Sequence, residues 1–342
     1  MGARFLLASV GTFPDAVVYV LIGLVAVLSV AVAILGLKRK RKNVRKVRRN
    51  ASAREQKSDR VAAAGEIRPT GRVGVTNEPN QGMGANMVTE APIDANMRLG
   101  KLHSQGTRDQ QQDSFGVSDE SMVMTHGQLV VVCDGMGGLA NGGEVSSKAV
   151  ETILDKFLLM PPGADPLQIL ESLTVEANQA VNAMLGPAGI KACGSTLVMA
   201  LLRDGLLSFL SIGDSRISLF RDGELMQLNR EHVYETELVR KAVNGEMSLS
   251  DAFADKQGKG LVSYLGMGHI EAIDVPASPL KLHLGDMVVL MTDGVYNALT
   301  DEEISAALSL FDPNEAAEVL GRSIEEKGYE SQDNYTAVVV AI

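Results

Sequence analysis

The sequence predicts an α+β domain of mainly antiparallel sheets with helices packed outside, preceded by a single membrane-spanning helix. Three observations carry that expectation. Short runs rich in valine, leucine and isoleucine follow one another directly, whereas the helical patterns come in blocks. Two Asp-Gly pairs stand between strand-like runs, as hairpin turns require. And Ala16 to Leu37, AVVYVLIGLVAVLSVAVAILGL, is 22 residues without a charge.

That stretch comes first in the chain. At about 1.5 Å per residue, a helix of its length crosses a bilayer core. Nine basic residues follow in Lys38 to Arg49, KRKRKNVRKVRR. Positive flanks stay on the cytoplasmic side, so a single-pass protein of the cell membrane is expected, with residues 1–15 outside and everything after Leu37 in the cytoplasm. A cleaved signal peptide fits less well: only Arg4 offers a basic start, and the cleavage-like Ala31-Val32-Ala33 runs at once into the basic block. A buried soluble helix would need a polar face, and none is marked. The segment 38–49 is expected against anionic lipid head groups, a nucleic-acid tail being the lesser alternative. Residues 50–94 mix alanine, glycine, asparagine, proline and scattered charge without an apolar period, and read as a flexible tether completing a 38–94 linker.

The chain holds 342 residues and is 45% hydrophobic, enough for a sizeable core. Its net charge of −10 hides an asymmetry. Residues 1–94 carry 15 Lys and Arg against 7 Asp and Glu; of the chain's 32 basic and 42 acidic residues, 17 and 35 therefore fall in 95–342. So acidic a domain repels nucleic acid, and no nucleic-acid partner is expected. The two cysteines, Cys133 and Cys193, lie beside apolar runs and read as small buried hydrophobes.

Within 95–342 the strand-length runs are GQLVVVC, STLVMALL, LLSFLSI, ISLFR, DMVVLMT and YTAVVVAI. Amphipathic spacing predicts helices over Gly143–Leu159, Leu167–Leu185, Asp301–Ser309 and near Asn314–Lys327. Thr300 with Glu303 forms a capping box for the third.

Asp-Gly occurs four times. Asp204-Gly205 and Asp222-Gly223 have strand residues on both sides and read as hairpin turns. Asp134-Gly135 and Asp293-Gly294 each close an apolar strand and lead into a helix, so the hairpin reading fails there. Asp214, Asp333 and Asp113 also stand at apolar strand ends. Each alone reads as a turn or cap residue. Together, five aspartates converging on one rim would repel one another, and divalent cations remove that cost. All-oxygen ligation selects magnesium or manganese over zinc, and the five histidines and two cysteines show no metal-ligand spacing. Such sites activate water against phosphorus or carbonyl centres. Arg108, five residues before Asp113, can clamp phosphate oxygens in pairs. Arg216, in GDSR, reads as structural.

From about Gly100 to Ile342 the chain resembles the metal-dependent protein Ser/Thr phosphatases of the PP2C (PPM) family, bacterial type. The motifs GTRDQQQD, VVCDGMGG, CGSTLVMALL, SIGDSR, LVSYLGMG, GDMVVLMTDGV and QDNYTAVVV come in the family's order. The resemblance implies an αββα sandwich of two stacked, mainly antiparallel sheets flanked by helix pairs. It implies two Mn²⁺ or Mg²⁺ ions bridged by Asp134 and by a water that attacks phosphorus. One ion would also take Asp293 and Asp333; the other would take the carbonyl of Gly135, with Asp113 acting through water. Asp214, with Asp293, matches the site of a third, weaker ion, and Arg108 matches the phosphate-binding arginine. Residues 230–261 match a variable flap; their charge and spacing alone read as solvated helices. Two departures stand out. Met136 replaces the histidine of many eukaryotic members, as in the bacterial branch. Gln111 stands where asparagine is usual, which keeps an amide and shifts its hydrogen bond.

The expected function is hydrolysis of phosphoserine and phosphothreonine in proteins near the membrane, among them a cognate Ser/Thr kinase and its targets. The alternatives are a catalytically silent phosphoprotein-binding relative and a partner-gated regulator of a membrane complex. A silent protein has no reason to bear the repulsion of the intact carboxylate set.

Overall fold

Apolar runs that show no alternation in the sequence alternate in space, and this builds the molecule. In the computed structural model, which describes residues 97–137, 142–310 and 312–342, each such run is buried on both faces. In chain order the elements are β1 (Arg98–Ser104), β2 (Asp113–Val117), α1 (Val123–His126), β3 (Gln128–Met136), α2 (Gly142–Phe157), α3 (Pro166–Gly189), β4 (Gly194–Ser195), β5 (Leu197–Arg203), β6 (Leu206–Ile212), β7 (Arg216–Arg221), β8 (Glu224–Gln227), α4 (Tyr234–Val243), α5 (Leu249–Ala254), β9 (Leu280–Lys281), β10 (Met287–Met291), α6 (Asp293–Tyr296), α7 (Asp301–Leu308), α8 (Pro313–Lys327) and β11 (Tyr335–Ala341). The expected membrane helix 16–37, the basic block 38–49 and the tether to residue 94 lie outside the described residues. Among the described residues no helix is long and apolar enough to cross a membrane.

Two sheets form, with strand orders β1-β11-β10-β7-β8 and β2-β3-β5-β6-β9, β4 adding to β3. Every pairing of these strands is antiparallel, as the adjacency of runs in sequence predicts. The pleat sorts each strand into two faces. Odd-numbered Leu129, Val131 and Cys133 of β3, with Leu197, Met199 and Leu201 of β5, pack under α2 and α3. Odd-numbered Val289, Met291, Ala337 and Val339 pack under α7 and α8. Even-numbered Val130, Val132, Val198, Ala200, Val288, Leu290, Val338 and Val340 meet between the sheets. The result is four layers: helices, sheet, sheet, helices. Each fully buried valine or leucine contributes about 1.5–3 kcal/mol of transfer free energy.

The helices start and stop on local chemistry. Asp165 caps α3 by accepting from the Gln168 amide, with Pro166 in the first turn, and the helix breaks at Gly186 beside Pro187. The expected end at Leu185 coincides with that break. Thr300 and Glu303 make the reciprocal capping box of α7. Asp312 accepts from the amides of Asn314 and Glu315 to start α8, and Gly328 ends it in a left-handed conformation.

Both Asp-Gly hairpins form, joining β5 to β6 and β7 to β8. Strand β3 corrects the sequence reading: it does not end at Asp134 but runs to Met136. Gly135 and Met136 find a partner in the two-residue β4, which returns from beyond α2 and α3, so no hairpin signal marks it. Cys133 is buried as expected, whereas Cys193 is partly exposed.

Candidate active site

The site lies where the inter-sheet phase turns from apolar to polar. On β3, Val130 and Val132 face the other sheet, and the next residue of that phase is Asp134. Continuing β5, β10 and β11 in the same way gives Thr196, Thr292 and Thr336, all buried. Strand β2 lays Asp113 directly opposite Asp134 in the β2–β3 register. Two carboxylates directly opposed across an antiparallel pair repel unless something lies between them.

The electrostatics record that repulsion. Burial, then the neighbouring charges, hold Asp134 well above the usual carboxylate range, the Asp113 charge first among them. Burial raises Asp113 to about 6, against the lowering effect of two hydroxyl hydrogen bonds. Asp214 is raised to about 6 by burial and by the charge of Asp293. Asp293 is raised by burial and then by Asp333. These mutual effects place Asp113, Asp134, Asp214, Asp293 and Asp333 around one acidic mouth.

Each is held by a different element. Asp113 opens β2; its Oδ2 accepts from Thr292 Oγ1 at 2.9 Å and from Thr336 Oγ1 at 2.7 Å. Its Oδ1 is buried with no hydrogen-bond partner among the described residues. Asp134 is fixed through its backbone: its amide donates to Thr196 Oγ1 at 2.9 Å, and its carbonyl accepts from the amide of Thr196 and the hydroxyl of Ser195. Asp293 begins α6 and receives Asn297 Nδ2 at 3.1 Å. Asp214 sits in the β6–β7 turn, where Tyr296 donates its hydroxyl to the Asp214 carbonyl at 3.0 Å.

Arg108 reaches the mouth and forms an ion pair with Asp333 at 2.6 Å, with 58% of its side chain exposed. Arg216 does not join them. Its guanidinium lies 3.6 Å over the Tyr296 ring and pairs with Glu231 at 2.8 Å, bracing the Asp214 turn from behind. Gln111 Oε1 accepts from the Asp113 amide at 3.0 Å, which fixes the start of β2. Gly135 is a glycine for want of space: an added Cβ would lie 2.1 Å from the Gly142 carbonyl oxygen and 2.6 Å from that of Gln112. A cleft of about 650 Å³ opens beside Gln110 and Gln111 and runs along α2, past Glu144, Lys148 and Glu151. Residues 230–261 form α4 and α5, closed at the base by a Val233–Leu261 bridge.

Three supporting residues went unmarked, although Thr292 stands in GDMVVLMTDGV and Asn334 and Thr336 in QDNYTAVVV. Asn334 accepts from the Gln112 amide at 2.7 Å and donates to the carbonyls of Gln105 and Gln110, clamping the Arg108 loop to the head of β11. Thr292 and Thr336 read as ordinary strand residues; only their even phase pointed inward.

Among the described residues, no three carboxylate, imidazole or thiol groups close into a finished metal cage. The residues nonetheless fit a hard divalent cation on three counts. The donors are all oxygen, the raised carboxyls are relieved by positive charge, and Asp113 Oδ1 is a buried acceptor left free.

Residues 100–332 match the family model described as Protein phosphatase 2C. The serine/threonine protein phosphatase PstP of Mycobacterium tuberculosis is 30% identical over 66% of this chain and 42% of its own length. This chain thus spans less than half of that relative. The serine/threonine phosphatase stp of Listeria welshimeri is 28% identical over 62% of this chain and 83% of its own. The crystal structure of the PstP catalytic domain in complex with two manganese ions superimposes with a TM-score of 0.58 at 27% identity, covering 72% of this chain and 97% of that one.

Proposed function

The chain belongs to the protein phosphatase 2C family, and from that premise we propose that it is a metal-dependent protein Ser/Thr phosphatase anchored in the membrane with its catalytic domain in the cytoplasm. The observation that carries the catalytic reading is the opposition of Asp113 and Asp134 between the sheets, with Arg108 at the rim of the same mouth.

Manganese or magnesium held by Asp134, Asp293, Asp333 and the Gly135 carbonyl, with Asp113 nearby and Asp214 beside a weaker third position, would acidify water and screen the phosphoryl oxygens. The chain's own residues do the rest. Arg108 exchanges its carboxylate partner for the phosphoryl group, since the guanidinium fork suits either anion. Asp113, with Oδ2 occupied by two hydroxyls, keeps Oδ1 as an acceptor that can hold the attacking water by its proton. Cys133 cannot serve as nucleophile, because burial pushes its thiol far up and keeps it protonated. With Met136 after Asp134-Gly135, that position offers no acid for the leaving group. The substrates are phosphoserine and phosphothreonine proteins near the membrane, including a cognate kinase.

The test is phosphate release from a phosphothreonine peptide by the full-length chain, with Mn²⁺, with chelator, and with Asp134→Asn. Release that requires both metal and Asp134 supports the reading. A folded chain that releases nothing under any condition overturns it in favour of a phosphoprotein-binding or partner-gated role. For the anchor, a reporter fused after Ile342 should be shielded from external protease; cleavage from outside would reverse the topology.

A further inference from the structure

We propose that His103 is a positioning residue of this site: its Nδ1–H holds the Thr336 hydroxyl as a donor to Asp113 Oδ2, so that Asp113 offers only Oδ1 to a divalent cation or to water. The proposal rests on the metal-dependent reading above.

The argument is a count of protons. An ionised carboxylate only accepts, and each threonine hydroxyl has one proton to give. Thr292 and Thr336 both direct theirs to Asp113 Oδ2, at 2.9 and 2.7 Å. Thr336 Oγ1 also lies 2.9 Å from His103 Nδ1. With the hydroxyl proton committed to Asp113, the ring nitrogen must be the donor. The same logic runs on the other side, where the Thr336 amide donates to Thr292 Oγ1 at 3.0 Å and leaves that hydroxyl proton free for Asp113. Oδ2 is then saturated from two strands, and Oδ1 has no partner among the described residues.

Were Nδ1 instead an acceptor, it would draw the Thr336 proton away. Asp113 Oδ2 would keep one donor, and the carboxylate would be free to turn. The backbone fixes where the ring stands. His103 faces Thr336 in the β1–β11 register and meets Phe115 edge-on at 5.2 Å, two residues from Asp113 on β2. The chain of donors therefore runs from the edge strand of one sheet, through its neighbour, to a site residue on the other sheet. Desolvation lowers the imidazole's pKa, which favours the neutral ring, and a neutral ring carries its proton on one nitrogen only. A surface-exposed strand histidine satisfying a threonine is the plainer reading. It differs in predicting no link to metal affinity.

The full-length chain labelled with ¹⁵N-histidine tests the first step directly, in the wild-type protein. The His103 ring, assigned by the signals lost in His103→Phe, should carry its proton on Nδ1 in the metal-free protein. A proton on Nε2 alone overturns the proposal. Calorimetric Mn²⁺ titration tests the second step. His103→Phe should weaken binding about tenfold, as loss of a group that orients a metal ligand does. Thr336→Val should weaken it at least as much, and His103→Gln, whose amide can still donate, should recover most of the loss. Wild-type affinity in His103→Phe and Thr336→Val overturns the proposal alone. A wild-type chain that binds no Mn²⁺ overturns the metal-dependent reading and the proposal with it.

Discussion

The same dipeptide does two different jobs in this molecule. At Asp204-Gly205 and Asp222-Gly223, the aspartates have φ of 54° and the glycines φ of 70° and 84°. Glycine is there for its conformation, and around Gly223 there is open space. Gly135 and Gly294 are absent from the left-handed region. They are glycines because a Cβ would strike backbone, 2.1 Å from the Gly142 carbonyl oxygen and 2.0 Å from that of Asn334. The hairpin pairs turn a chain around. The site pairs let three backbone segments close on a carboxylate. Two letters of sequence do not carry that difference; the flanking pattern does.

The sharpest way to break this contrast is to make one substitution in both settings. Asp293→Asn should lower phosphatase turnover by orders of magnitude with the fold intact by circular dichroism; unimpaired turnover would remove Asp293 from the site. Next in size, Gly294→Ala should destabilise the domain by about 3 kcal/mol or more through overpacking against backbone. Gly223→Ala, with room but an unfavourable φ, should cost only about 1–2 kcal/mol in the same denaturant titration. Equal costs would erase the distinction between space and conformation.

The crowded carboxylates should also show in the pH dependence of the metal-free chain. Asp113 and Asp214 are raised from an ordinary 3.8 to about 6, so the folded state binds protons more tightly than the unfolded. The stability this gives is fully present below about 3.8 and is lost as pH rises through about 6. In chelator the domain should therefore lose up to about 3 kcal/mol for each of the two groups across that window, and Mn²⁺ at neutral pH should restore it. A flat profile would mean that neither burial nor mutual repulsion raises these carboxyls. Smallest of all, Asp222→Asn should stay within about 0.5 kcal/mol of the parent, since asparagine suits the same turn.

What the sequence made legible follows from these physics. Strands β3, β5, β6, β7, β10 and β11 were readable because both faces are apolar. Strand β1, RLGKLHS, was not, because it is a sheet edge with exposed residues on both faces. β8, ELMQ, is mostly exposed and was legible only as the far arm of the Asp222-Gly223 hairpin. All five aspartates stood out as charges at the ends of apolar runs. Asn334, Thr292, Thr336 and His103 did not, because threonine and histidine in a strand look like filler until the pleat assigns them a side. The end of β3 was misplaced by two residues because its final partner, β4, is too short to leave a pattern.

One consequence of the strand order concerns time. β1 is the first strand of the domain, and its partner is β11, the last of these elements to be synthesised. That pairing closes the longest loop in the fold, a slow event in folding. Strand β10 must wait beside an empty lane until β11 arrives between it and β1. Asp333, Asn334 and Thr336 come with that strand. A nascent chain lacking them has neither the Arg108 clamp nor the fixed Asp113, so the site is completed only once β11 has been made.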